Sequence, residues 1–472
     1  MDSRTEPGTD PGLPLPRRYV AILAISFGTA LVVIDGAIAT VALPTIARDL
    51  NVDSSAAVLV VTIYQLVLVM TLLPFSTLGD RLGHRRLYQY GQLIFTCATA
   101  LCFFARSLPF LLVVRAVQAL GAAAALSVSS AMVRRIYPPE QLGRGLGINS
   151  IVVSSSAALA PTLGGFILAF GRWPWVFAAA VPFAIISLII GRALPDPEPR
   201  DEPFDVLGAV LCAGMFGLIF SGLESAVHGD SPVISAAIAL AGVFLGYFFV
   251  RRELGETRPI LPVDLLAQPI LGLSSLGAFT AFVGAMTVIL SLPFRLQHVY
   301  GFAPSEVGAM IAPWPLTTMF VAPISGALSD RIPAGLLGAV GMAIAVAGLL
   351  LLGFLPPHPG FFDIAWRMVL CGAGFGMFLS PNARVIIGSS PIERAAAAGG
   401  LISTTRMVGQ TAGATLVAAL LAMNLGGGPW PAVVAAGLAL IAGLCSAARL
   451  RPSIRNPREE ECRQLQPAAQ VE

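Results

Sequence analysis

Asp35 stands in the run Val32-Val33-Ile34-Asp35-Gly36, where a carboxylate has apolar neighbours in place of water. An ionised acid inside such a segment is expensive, and burial favours the protonated form of any carboxyl group. An acid in this setting is suited to exchanging a proton once per cycle, and the competing reading is a polar residue hydrogen-bonded to a neighbouring helix. Arg115, in Val114-Arg115-Ala116-Val117-Gln118, poses the complementary problem. A guanidinium stays charged at any accessible pH, so it needs a partner or a wet cavity. It is expected to switch Asp35 electrostatically; a fixed structural ion pair or a snorkelling side chain is the alternative. Arg406, with Gln410 one turn on, is a further candidate of the same kind, and with Gln118 these form a possible cavity lining. Glu224 and Arg295 fall near outer helix ends and read as interfacial.

The loop Leu78-Gly79-Asp80-Arg81-Leu82-Gly83-His84-Arg85-Arg86 joins an acid to a basic cluster across a glycine. Glycine permits a tight turn, and Asp80 can cap a helix terminus or pair with an arginine. Leu328-Ser329-Asp330-Arg331 repeats the pattern about 250 residues later, and Pro139-Glu140 through Arg144 to Gly147 is echoed by Pro391 through Glu393 and Arg394 to Gly400. Small residues in Ser154-Ser155-Ser156-Ala157-Ala158 and Pro161-Thr162-Leu163-Gly164-Gly165 allow helices to approach closely and slide.

The elements that must position these residues are set by composition. With 56% hydrophobic and 12% charged residues, and a mean hydropathy of +0.80, most of the chain has lipid as its solvent. A spanning helix needs roughly 20 apolar residues. Fourteen runs qualify: 19–43, 56–78, 87–106, 108–133, 145–170, 174–194, 206–226, 232–250, 270–293, 306–328, 334–355, 361–387, 396–424 and 430–449. The first is too long, and leads too directly into the second, to read as a cleaved signal peptide. Arginines concentrate on one side, from Arg17 and Arg18 through Arg81, Arg85, Arg86, Arg134, Arg135 and Arg144 to Arg251, Arg252, Arg258 and Arg331, so both termini are expected in the cytoplasm. The repeats imply two six-helix halves with an inserted pair between them. The expected architecture is all-α and polytopic: a tail at 1–18, six helices in 19–194, a two-helix linker region at 195–269, six more in 270–449, and a tail at 450–472.

Other classes find little support. The basic residues are all arginine and are dispersed, so nucleic acid is not an expected partner. Cys97, Cys102, Cys212, Cys371, Cys445 and Cys462 lack metal-site spacing, and His84, His228, His298 and His358 are scattered, so neither a metal nor an enzyme is expected.

At these residues the sequence resembles the major facilitator superfamily, and within it the fourteen-helix drug:proton antiporter branch. Asp80 to Arg86 is similar to the family's loop between helices two and three, and Gly326 to Arg331 to its second-half counterpart; Ser76 replaces a usual glycine. The resemblance implies a conformational latch at Asp80, Arg81, Gly83, Arg85, Asp330 and Arg331. Ile34-Asp35 through Val41-Ala42-Leu43-Pro44 resembles the branch's first-helix motif, and Arg115 through Gln118 to Gly121 its fourth-helix motif, which implies proton coupling through Asp35 and Arg115. Gly147, Pro161, Gly164 and Gly165 follow the antiporter motif of helix five, with Ser156 and Ala160 in place of glycines. Trp173 to Phe177 and Val181-Pro182 resemble the start of the sixth helix, with Ala180 replacing asparagine. The resemblance implies a monomeric, proton-coupled exporter of amphipathic or cationic drugs in a bacterial cytoplasmic membrane, using the proton gradient and no cofactor. Its partners would be a small-molecule substrate, protons and the lipid bilayer. An exporter of one metabolite, or an importer of the same fold, is the alternative. A topology reporter fused at Pro452 should report a cytoplasmic position, and a periplasmic signal there would overturn the orientation.

Overall fold

The computed structural model describes residues 13–137, 142–195, 205–227, 229, 231–256, 261, 263–390 and 395–451. The side chains of 130, 131, 134, 142–151, 153, 154, 157, 158 and 395–397 fall outside that description. Hydrocarbon offers no hydrogen bonds, so a chain this apolar must satisfy its backbone within each segment. Helix is accordingly the regular structure of the described residues, and no strand occurs among them.

The helices run α1 (Leu15–Asp49), α2 (Ser54–Leu82), α3 (His84–Cys102), α4 (Leu108–Ile136), α5 (Leu142–Phe170), α6 (Pro174–Ala178) and α7 (Val181–Ile190), the last followed by a 3-10 turn at Gly191–Ala193. They continue as α8 (Val206–Val227), α9 (Pro232–Glu253), α10 (Val263–Leu266), α11 (Pro269–His298), α12 (Pro304–Ile311) and α13 (Pro313–Leu328). The chain finishes with α14 (Ala334–Gly353), α15 (Phe361–Gly388), α16 (Ala395–Ala422) and α17 (Trp430–Ala448). Eleven segments among the described residues are long and apolar enough to cross a membrane; α3, α5 and α16 occupy the other three apolar runs.

Two runs expected as single helices are interrupted. The run at 174–194 breaks between α6 and α7, and that at 306–328 breaks at Ala312 between α12 and α13. Pro182 and Pro313 sit at those breaks. Proline donates no backbone hydrogen bond and disfavours helical geometry in the residue before it, so each apolar run persists while its helix is cut.

The chain forms two compact units, residues 1–246 with 302–312, and 247–301 with 313–472. In the first, α4 packs on α2 and α3, α1 and α12 pack on α5, and α8 leans on α2. Glycines set the spacing: a Cβ at Gly121 would lie 2.5 Å from the Phe95 backbone nitrogen, and one at Gly91 would lie 2.7 Å from the Gly121 carbonyl. In the second, α14 packs on α15 and α17, α13 on α15, and α11 on α16 and α17. A Cβ at Gly341 would meet the Gly374 carbonyl at 2.7 Å. Lipid tails supply no hydrophobic drive between helices, so such backbone-to-backbone approach carries much of the cohesion.

Gly121→Val should therefore lower stability by about 1–3 kcal/mol through overpacking. Gly437→Ala, where an added Cβ meets nothing within 4 Å, should be neutral or stabilising by up to about 1 kcal/mol. Thermal unfolding of the two variants in detergent measures the contrast.

Candidate functional site

Asp35 of α1 is 1% exposed, and Arg115 and Gln118 of α4 are 0% exposed. Residues three apart on a helix share a face, so Arg115 and Gln118 reach toward α1 together. Arg115 Nη1 donates to Asp35 Oδ2 at 2.5 Å and to Gln118 Oε1 at 2.6 Å. Gln118 Nε2 donates to Asp35 Oδ1 at 2.9 Å and to Thr99 Oγ1 of α3 at 2.7 Å. Thr99 spends its own hydroxyl proton on the Phe95 carbonyl at 2.6 Å, which leaves its oxygen free to accept. Arg115 Nε donates to the Val60 carbonyl of α2 at 3.3 Å. The Tyr64 and Phe177 rings face the guanidinium, 4.2 and 5.3 Å from their centroids, as cation–π contacts that favour a desolvated cation. Residues of five helices, α1 to α4 and α6, thus surround the Asp35–Arg115 pair.

Both carboxylate oxygens of Asp35 are occupied, whereas Arg115 Nη2 and the Tyr64 hydroxyl are buried without hydrogen-bond partners among the described residues. The pair is neutral only while Asp35 is ionised. A proton delivered to Asp35 would cancel that balance and leave a buried guanidinium without its counter-ion, the arrangement buried pairs tolerate least.

The loop residues lie apart from this cluster. Gly83 alone joins α2 to α3, with φ +93°, a conformation glycine adopts without strain. Asp80 Oδ1 lies 3.1 Å from His84 Nε2, while Arg81 is exposed and Arg85 half-buried. In the second unit Asp330 forms an ion pair with Arg384 of α15, which also donates to Ser329 Oγ at 2.9 Å; Arg331 is exposed. Arg384 was not legible as a partner, because its pairing spans two helices distant in sequence.

On α5, Gly164 packs on α1, where an added Cβ would lie 2.8 Å from Ile38 Cγ1. Gly165 packs on α12, 2.6 Å by the same construction from the Pro304 carbonyl, and the Pro161 carbonyl meets Gly308 there. Gly147 lies within α5, its surroundings outside the description, as are 138–141 and 391–394 of the repeated motif. Arg406 and Gln410 sit in mid-α16, in the second compact unit, and Asp35 belongs to the first.

Arg295 stands in the last turn of α11. It is buried, and its guanidinium donates to the Leu352 and Gly353 carbonyls at 3.1 and 3.0 Å. These are end carbonyls of α14 with no partner inside their own helix, and a cation there also complements the helix dipole. A buried cluster went unread: Arg449 donates to Ser274 Oγ, Asn382 Oδ1 and Ser446 Oγ at 2.8, 2.8 and 2.9 Å. Thr99 and Tyr64 were likewise missed, since nothing in their spacing marks them.

Membrane-length helices around a buried ion pair define a polytopic membrane protein. The sequence pattern of the Major Facilitator Superfamily matches residues 25–414 and 274–469, and the chain belongs to that superfamily: it is a multi-pass transporter and not an enzyme. It is 45% identical over 443 residues, 93% of this chain and 97% of the other, to the uncharacterized transporter YebQ of Escherichia coli (strain K12). It is 30% identical over 420 residues, 87% of this chain and 77% of the other, to the tetracenomycin C resistance and export protein of Streptomyces glaucescens. Its fold matches a solved bacterial homologue of the human lysosomal transporter Spinster, with TM-score 0.68 and 19% identity over 94% of this chain and all of that one.

Removing one partner of a buried pair costs about 3–5 kcal/mol, whereas removing both charges can be nearly neutral. Arg115→Gln alone should thus unfold at lower temperature than the Asp35→Asn/Arg115→Gln double variant, and a double-mutant cycle on purified protein measures the difference.

Proposed function

We propose that this protein is a proton-coupled exporter of small amphipathic molecules that works by alternating access, with Asp35 as the proton carrier and Arg115 as its electrostatic partner. The observation behind this reading is the closed cluster of Asp35, Arg115, Gln118 and Thr99, a buried charge pair whose balance a single proton changes. With the cavity open outward, Asp35 takes a proton and releases Arg115; with the cavity open inward, the proton leaves and the pair re-forms. Both carboxylate oxygens are engaged in the closed cluster, so proton and substrate exchange through the conformational cycle and not by competing for one carboxylate.

The remaining parts of the reading fit this cycle. Fourteen spans arranged six, two and six, with both termini in the cytoplasm of a bacterial inner membrane, place Asp80, Arg81, Gly83, Arg85, Asp330 and Arg331 on the side where a latch would act. The protein is taken to work as a monomer. Export is favoured by the resistance and export role in the name of the Streptomyces glaucescens relative. That name also favours a second reading, export of one specific compound, since it specifies a single substrate.

Transport measured in everted vesicles with an imposed proton gradient tests the proposal. Asp35→Asn should abolish gradient-driven accumulation while leaving the protein folded in the membrane. If the variant still concentrates substrate with unchanged pH dependence, the coupling site lies elsewhere.

A further inference from the structure

Arg406 differs from the other buried arginines, because nothing among the described residues answers its charge. Arg115 has Asp35, Arg295 has the end carbonyls of α14, and Arg449 has Ser274, Asn382 and Ser446. Arg367 of α15 sits beside Asp363 and Arg384 beside Asp330. Arg406 is the twelfth residue of the 28-residue α16, which places it about 16 Å from the start of that helix at 1.5 Å per residue. Its Nε is buried, with no hydrogen-bond partner among the described residues.

Among the described residues no carboxylate forms an ion pair with it. Up to the end of α17 the described acids of that unit are Glu253, Glu256, Asp264, Asp330 and Asp363. Asp330 follows α13, Asp363 stands in the first turn of α15, and Glu393 precedes α16. The sequence then has no Asp or Glu until Glu459. An uncompensated guanidinium at this depth is costly, and a charge kept there has its partner supplied from outside the segment.

The surroundings suit an organic ligand. Ser403, Arg406 and Gln410 stand three and four residues apart, which puts them on one face of α16. A Cβ at Gly399, two turns earlier on that face, would meet nothing within 4 Å. Close by, Gly409 and Gly413 bring α16 against α11, where added Cβ atoms would lie 2.9 Å from both the Phe279 carbonyl and Phe282 Cβ, and 2.7 Å from Met286 Cβ. A cation, an amide, an open stretch of helix and partly buried aromatic rings thus occur together.

We infer that Arg406 and Gln410 form a binding point for the acidic oxygen of an amphipathic organic anion, so that transported molecules carry a carboxylate or phenolate on an apolar, aromatic body. This rests on the reading of the protein as an exporter and makes its substrate class anionic, in contrast to the cationic class implied by resemblance. Arg406 would form charge-assisted, bidentate bonds to the anion, Gln410 would donate its amide, and the neighbouring apolar surface would take the aromatic part.

The test is equilibrium binding to purified protein in detergent, with no proton gradient. The probes are 1-pyrenebutyrate and 2-naphthoate, their methyl esters, rhodamine 6G as a cation, and inorganic phosphate as competitor. The wild type should bind the acids more tightly than the esters or rhodamine 6G, and millimolar phosphate should not displace them. Arg406→Gln should weaken acid binding about tenfold or more and leave ester binding unchanged, as loss of a charge-assisted pair requires. Arg406→Lys, which keeps the charge without the fork, should lose less. Arg406→Gln deletes an unpaired charge, so its thermal unfolding should match or exceed the wild type, and Arg406→Lys keeps the test valid if it does not. Acids binding no better than esters, acid affinity unchanged in Arg406→Gln, or rhodamine 6G as the tightest ligand would each overturn the inference, as would displacement of the acids by phosphate. Binding to the wild type and to the Arg406 variants is read without a gradient, and gradient-driven accumulation in Asp35→Asn is read apart from it, so failure of the coupling proposal and failure of this one give separate results.

Discussion

Hydrocarbon neither solvates a charge nor accepts a hydrogen bond, and the rest of this structure is arranged around that fact. Backbone groups are satisfied within helices, and helix ends recruit side chains for the groups left over. Glu306 and Asp363 accept from the Ala303 and Gly360 amides at 2.8 and 2.9 Å in the first turns of their helices, where a negative charge also complements the dipole. Arg295 performs the opposite service at the end of α14. These contacts satisfy helix-end groups at points where lipid could not.

For buried arginines the same demand is met in two chemically different ways. The first unit pairs opposite charges, and the pair is neutral with both carboxylate oxygens engaged. The second unit holds Arg449, at the end of α17, with hydroxyl and amide oxygens.

Cohesion between the helices follows from the same solvent. Because lipid is as apolar as leucine, helices hold together through close backbone approach, and Gly91 with Gly121, Gly341 with Gly374, and Pro161 with Gly308 mark where it occurs. On α5 the small residues approach both α1 and α12, so the helix that carries the antiporter-like motif touches the helix that carries Asp35.

What the sequence by itself determined is whatever depends on solvent and local chain geometry. Run length and apolarity located the helices, arginine bias suggested a side, and Gly83 announced its turn, while the breaks at 179–180 and 312 were seen only in the structure. Asp35 and Arg115 stood out because a charge in an apolar run is anomalous without any knowledge of neighbours. What the tertiary structure alone decided is who answers whom. Asp35 and Arg115 are 80 residues apart, Arg449 and Ser274 are 175 apart, and Arg384 meets Asp330 across two helices. Thr99 and Tyr64 joined the site without any mark in their own spacing, because a polar residue among apolar ones signals only that it needs a partner. Which partner it finds depends on how helices rotate and pack, a property of several segments at once that no single segment contains.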